Sequence, residues 1–167
     1  MSNNQKEKGF TIIEVVLVLA IAGLIFLMVF IALPSLQRGW RDTQRNNDLG
    51  RLVSATTNYS HTNRGNIPTT QQGWNSLVDQ YLTIDGDTFV DPSGTQPGQS
   101  SETYVMSAIT DRNSTITTDF TESRNIIYYT NSAVCHETEG ASVSPGGSRR
   151  VAFRIVLEGG GVACRNN

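Results

Sequence analysis

Lysine is almost missing from this chain. Of its 167 residues only Lys6 and Lys8 are lysines, and every later cation is an arginine or a histidine. Cysteine is as scarce. Cys135 and Cys164 stand far apart, without the ligand spacing of a zinc site or a redox motif. Charged residues make up 17% of the chain and the formal net charge is −2, so no excess of positive charge marks nucleic acid as the main partner. No Ser/His/Asp pattern, phosphate-binding glycine loop or metal-ligand cluster is present. His61 and His136 stand isolated and read as solvated loop residues. No enzyme class finds support in this pattern, and no cofactor is implied.

The longest absence is of charge. From Val15 to Gln37, 23 residues pass without a charged side chain. A helix of that length spans ~35 Å, enough for a hydrocarbon core of ~30 Å. Glu14 alone interrupts the apolar run that starts at Phe10. A charge at the bilayer centre costs roughly 2.5–3.5 kcal/mol, and less near the interface. Either Glu14 reaches back to the headgroups, or it meets a specific partner when helices associate in lipid. The run is too long for a secretory signal, and no A-x-A-like cleavage site follows it. No cysteine lies near it to carry a lipid. The one small-residue site is Gly9, before the run, and a cut there leaves the apolar helix on the mature protein.

Gly9-Phe10-Thr11-Ile12-Ile13-Glu14 resembles the class III signal of type IV prepilins. That family has Gly just before the cut, usually Phe just after it, and Glu four residues further on. Gly23 matches a glycine common in the family's apolar helix. The strong part of the likeness covers about residues 6–30. One position departs: many members carry proline where this chain has Ile31, and here the proline is Pro34. Proline removes a helical hydrogen bond, so the expected kink moves later along the helix.

The resemblance implies processing at Gly9 and Phe10 by a prepilin peptidase that also N-methylates Phe10. It implies assembly through Glu14 and the Phe10 amine of a neighbouring, identical subunit, with a membrane platform protein and an assembly ATPase as partners. It implies a type IV pilus subunit for adhesion, motility or DNA uptake, with a host or cell-surface receptor as a further partner. A pseudopilin of a secretion or competence machine shares the same signal. A membrane-anchored binding protein that never polymerises is the reading from another class. Sortase-built fibres need a lysine and a C-terminal sorting signal; beyond residue 9 this chain has no lysine, and GVACRNN carries no such signal.

Orientation by positive charge is ambiguous, since Lys6 and Lys8 precede the span and Arg38, Arg41 and Arg45 follow it. The cysteines speak for an outside head. A Cys135–Cys164 bridge persists in an oxidising compartment, and two buried free thiols are the alternative. The family likeness also places the N-terminus in the cytoplasm and the head outside.

The rest of the chain reads as α+β: a long N-terminal helix, apolar then amphipathic, packed on a C-terminal antiparallel sheet of about four strands, as in pilins. The expected division is a leader over 1–9, an assembly helix over 10–36, an amphipathic half over 37–60 and a head over 61–167. In the amphipathic half, Leu36, Trp40, Leu49, Leu52, Val53, Thr56 and Tyr59 mark the core face. Arg38–Asp42 and Arg45–Asp48 are expected as surface pairs. Gln71–Leu82 is a short helix with Trp74, Leu77, Val78 and Tyr81 on one face. Asp85, Asp87 and Asp91 are turn residues and weak calcium candidates, without EF-hand spacing. Tyr104–Ile109, Ile126–Thr130, Val151–Leu157 and Val162–Arg165 read as strands, the last two joined by Gly159-Gly160-Gly161. His136–Arg150 is a Ser/Gly-rich loop and a candidate contact surface. Asn58-Tyr59-Ser60 and Asn113-Ser114-Thr115 match the glycosylation pattern no more often than this composition produces by chance.

Overall fold

A computed structural model of the protein describes residues 9–84, 87–95, 102–112, 114–116, 118–137 and 140–167. The chain divides into two compact units, one ending at Gln37 and the other spanning Arg38–Asn167. Helix α1, Ile12–Thr62, contributes to both.

In the first unit α1 is apolar all round. It runs unbroken through Gly23 and Pro34, and Pro34 has no N–H to give the preceding turn. None of its side chains there is buried, and its large apolar groups are exposed from 45% at Leu33 to 86% at Ile12. Length and composition suit a membrane crossing.

The second unit begins with the remainder of α1, whose buried residues are Arg45, Asp48, Leu49, Leu52, Ala55 and Thr56. Their three- and four-residue steps place them on one helix face. The helix ends where Arg64 and Gly65 both turn to positive φ, 58° and 82°, and the Gly65 N–H donates to the Ser60 carbonyl at 2.8 Å. Helix α2, Gln71–Tyr81, starts at Thr70, whose hydroxyl accepts the Gly73 N–H. α2 buries Trp74, Leu77 and Val78, the period read from the sequence.

Strands β1 (Val105–Ala108), β2 (Ile126–Asn131), β5 (Val151–Val156) and β6 (Val162–Asn166) form a four-stranded sheet in the order β1-β2-β5-β6. β2–β5 and β5–β6 are antiparallel, with Tyr129 opposite Phe153 and Ile155 opposite Ala163. β1–β2 is parallel, with Met106 beside Ile127. This departs from an all-antiparallel sheet. A parallel neighbour needs a crossover of a dozen residues or more, and the segment 109–125, carrying the short helix α3 (Phe120–Ser123), is long enough. The main core lies between one sheet face and the helices. Trp74 packs on Tyr129 and Phe153 at centroid distances of 5.4 and 5.2 Å.

Simple alternation fails in β5, where all six residues are buried. A second hairpin, β3 (Ala133–Cys135) with β4 (Val143–Pro145), covers part of the other face. Its Ala133 and Val143 pack with Ala152 beside Cys135 and Cys164. The stretch read as loop over 136–150 therefore contains a strand. Ser132, at φ 55°, makes the corner between β2 and β3. Arg154 is enclosed as well. Its guanidinium donates to the Ala141 carbonyl and to Thr130 Oγ1, and burial pushes its pKa down.

The head half of α1 departs most from the surface reading of its charges. Arg45 is fully buried. It donates to both Asp91 oxygens at 2.8 and 3.0 Å, to Asp42 at 2.8 Å and to Ser93, and it lies 4.6 Å over the Phe120 ring. Burial alone lowers its pKa, but the Asp91 and Asp42 carboxylates outweigh that and the net shift is upward. Asp42 pairs with Arg45 rather than Arg38, and it also accepts the Glu158 and Gly159 N–H groups at 2.8 Å each. Asp48 pairs with Arg51 rather than Arg45. Arg41 forks onto Glu158. Leu36 and Trp40 stay 69% and 73% exposed instead of entering the core. The reason for the charged contacts is local. Over Arg41–Arg45 the helix meets polar loop backbone and carboxylates around Asp91 and Glu158, not the apolar sheet face.

Candidate functional site

The junction ahead of α1 is built from few parts. Gly9, Phe10 and Thr11 lie outside the helix, exposed, with no foreign atom within 4 Å of a Cβ placed on Gly9. Both residues of the Gly9–Phe10 bond are exposed. α1 then starts with a reciprocal cap. The Glu14 N–H donates to Thr11 Oγ1 at 3.4 Å, while Glu14 Oε2 accepts the Thr11 N–H at 3.2 Å and its hydroxyl at 3.1 Å. This is a capping box, which satisfies amide groups that a helix start leaves unpaired.

The cap changes what Glu14 needs. Its carboxylate is not bare in the single chain, because Thr11 supplies two donors to one oxygen. It also sits in the first turn, where the positive end of the helix favours an acid. Phe10, Glu14, Val15, Val18 and Leu19 together frame one hollow on the helix surface. The acid and the first aromatic therefore face the same side, with an apolar border. The T-x-x-E spacing was legible in the sequence, yet the role of Thr11 went unread.

The other candidate residues scatter. Gly23 and Pro34 lie within the exposed helix, and nothing lies near Gly23. Cys135 and Cys164 are joined as a disulfide with Cα atoms 5.8 Å apart, between β3 and β6. Asp85 falls outside the described residues. Asp87 pairs with Arg51, exposed, while Asp91 is buried against Arg45. Among the described residues no group of three acids, histidines or cysteines is placed to hold a metal. Arg45, which organises the contact between α1 and the head, was missed because its spacing matches a solvated face.

Residues 4–30 match the family model of the prokaryotic N-terminal methylation motif. No curated protein and no solved structure matched the chain. The matched segment contains Gly9, Phe10, the Thr11–Glu14 cap and Gly23. The chain thus carries the prokaryotic N-terminal methylation motif, a class III signal.

Proposed function

We propose that this protein is a structural, non-enzymatic subunit of a type IV pilus. The observation that carries the reading is the methylation-motif match over residues 4–30, which runs into a capped apolar helix with no buried side chain in this stretch. In this account a membrane peptidase cuts after Gly9 on the cytoplasmic side and methylates the Phe10 amine. Until assembly the subunit is a single-pass membrane protein with its head outside, where an oxidising compartment keeps Cys135–Cys164 closed. A platform protein and an ATPase then move subunits into an extracellular filament.

The chemistry favours polymerisation over a solitary anchor. Cutting creates a cationic amine at Phe10, beside the positive end of α1, where a cation is disfavoured. A neighbour's Glu14 offers a compensating carboxylate. An apolar helix leaving lipid must bury its surface again, and a bundle of like helices does so. Inside that dry bundle the Phe10–Glu14 pair offsets the desolvation of both charges, and it fixes the axial register of neighbours. Thr11 holds the carboxylate oriented meanwhile.

Glu14→Ala tests this. Cleavage at Gly9 should continue, because the scissile bond lies outside the helix, while filaments disappear from the cell surface. Normal filaments from that variant would remove the pairing from the account. Abundant long fibres of this chain distinguish a pilus from the short or transient filaments of a pseudopilin.

A further inference from the structure

The cations of the head are unevenly engaged. Arg38, Arg41, Arg45, Arg51 and Arg124 meet carboxylates, and the Arg154 and Arg165 side chains have hydrogen-bond partners. Among the described residues, Arg64, Arg112, Arg149 and Arg150 have no such side-chain partner. Two of these four, Arg149 and Arg150, meet at one cavity of about 480 Å³. They share its wall with His61, Thr57, Ser60, Ser148 and the C-terminal residue Asn167, and among the described residues no carboxylate side chain lines it.

The positions of the two arginines are set by backbone. The Arg150 N–H donates to the Gly147 carbonyl at 2.9 Å, and the Arg150 carbonyl accepts the Ser132 N–H at 2.7 Å. The Arg149 carbonyl accepts from the Asn167 amide at 3.0 Å. The Arg149 guanidinium lies against Gly65, where a Cβ would stand 3.0 Å from Nη1 and 3.1 Å from Cζ. Glycine at 65 thus serves both the left-handed turn and the seat of this side chain. A simpler role for Arg149 is to cap the negative end of α1. The helix already closes on itself, however: the Tyr59 carbonyl accepts from Asn63, and the Ser60 carbonyl accepts from Asn63 and Gly65. Arg150 and His61 are not needed for a cap either.

We infer that the cavity between the α1 end and the 147–150 turn binds a phosphate ester on a small ligand, of the sugar-phosphate class. Two guanidiniums offer forked donors that match a tetrahedral oxyanion, and the Ser60 and Ser148 hydroxyls suit the oxygens of a sugar, while the Thr57 hydroxyl donates to the Val53 carbonyl. A nucleic acid fits less well. It needs a row of cations to follow phosphates spaced ~1.7 Å apart along a duplex axis, whereas this cavity brings together only two, Arg149 and Arg150. The site belongs to the head alone, so its failure leaves the filament reading standing.

Titration calorimetry on the full-length protein in detergent tests the assignment, with glucose 6-phosphate, glucose, inorganic phosphate and a short DNA duplex as probes. Glucose 6-phosphate should bind at least tenfold more tightly than glucose and at least as tightly as inorganic phosphate. Arg150→Gln should weaken it tenfold or more, and Arg149→Gln likewise, whereas Arg112→Gln, outside the cavity, should leave it unchanged. Equal binding of glucose and its phosphate overturns the proposal, as does indifference to Arg150→Gln. Inorganic phosphate binding more tightly than the sugar phosphate, or a duplex that binds more tightly and loses that binding in Arg150→Gln, overturns the small-ligand assignment.

Discussion

Arg45 and Asp48 illustrate how burial treats charge on a helix whose pattern looks solvent-facing. Removing one member of a buried pair leaves the other uncompensated, at a cost of about 3–5 kcal/mol. Asp91→Ala should therefore lower stability by that order in chemical denaturation. Arg45→Met with Asp91→Leu should lose less than Asp91→Ala alone; a loss as large would show that the pair itself, not the orphaned charge, sets the cost. Asp48 makes a different prediction. Burial raises its pKa, and hydrogen bonds from Tyr104 and Arg51 offset this only in part. The raised value means that the folded state prefers the neutral acid. Its favourable contribution is full below the ordinary value of 3.8 and falls as pH rises through the folded value. Asp48→Asn still accepts from Tyr104 through its carbonyl. It should thus gain stability relative to the parent between acid and neutral pH; a difference independent of pH would contradict the shift. Neither role was legible in sequence, because spacing assigns a helix face but does not say whether sheet or polar loop will cover it.

The elements themselves were largely legible. The three- and four-residue period at Trp74, Leu77 and Val78 gave α2, and the β-branched runs gave four strands. What escaped was whatever depends on a distant partner. β5 alternates in sequence yet is buried on both sides, because the β3–β4 hairpin folds over it. That hairpin is only three residues per strand and rich in serine nearby, so no period announces it. The disulfide ties it to β6. Closing a loop between residues 29 apart contributes roughly 3–4 kcal/mol in the chain-entropy model. Cys135→Ser with Cys164→Ser should lose that much in denaturation. Amide exchange should quicken first over 133–145, while β2 and β5 keep their protection. Uniform quickening would mean that the hairpin is no separate unit.

At the scale of the whole molecule, the absence of lysine joins the N-terminal signal. Beyond residue 9 the chain has no side-chain amine, so a cut at Gly9 leaves the Phe10 α-amine as the only amine of the mature protein. The group proposed to meet Glu14 is then unique in each subunit. The motif could be read from sequence because it is local: glycine, phenylalanine and glutamate at fixed spacing before an uncharged run. The cap that steadies Glu14 could be read too, from Thr11. The pocket at Arg149 and Arg150 could not, since it joins the end of α1 to a turn some eighty residues further along the chain.

The central claim is processing at Gly9 followed by export of the helix in a filament. Mass spectrometry of tryptic peptides from sheared surface fibres tests it most directly. The account predicts a peptide running from Phe10 to Arg38 with a single methyl group on the Phe10 nitrogen. A peptide beginning at Gly9, released by trypsin after Lys8, would show an intact leader in the extracellular fraction and contradict it.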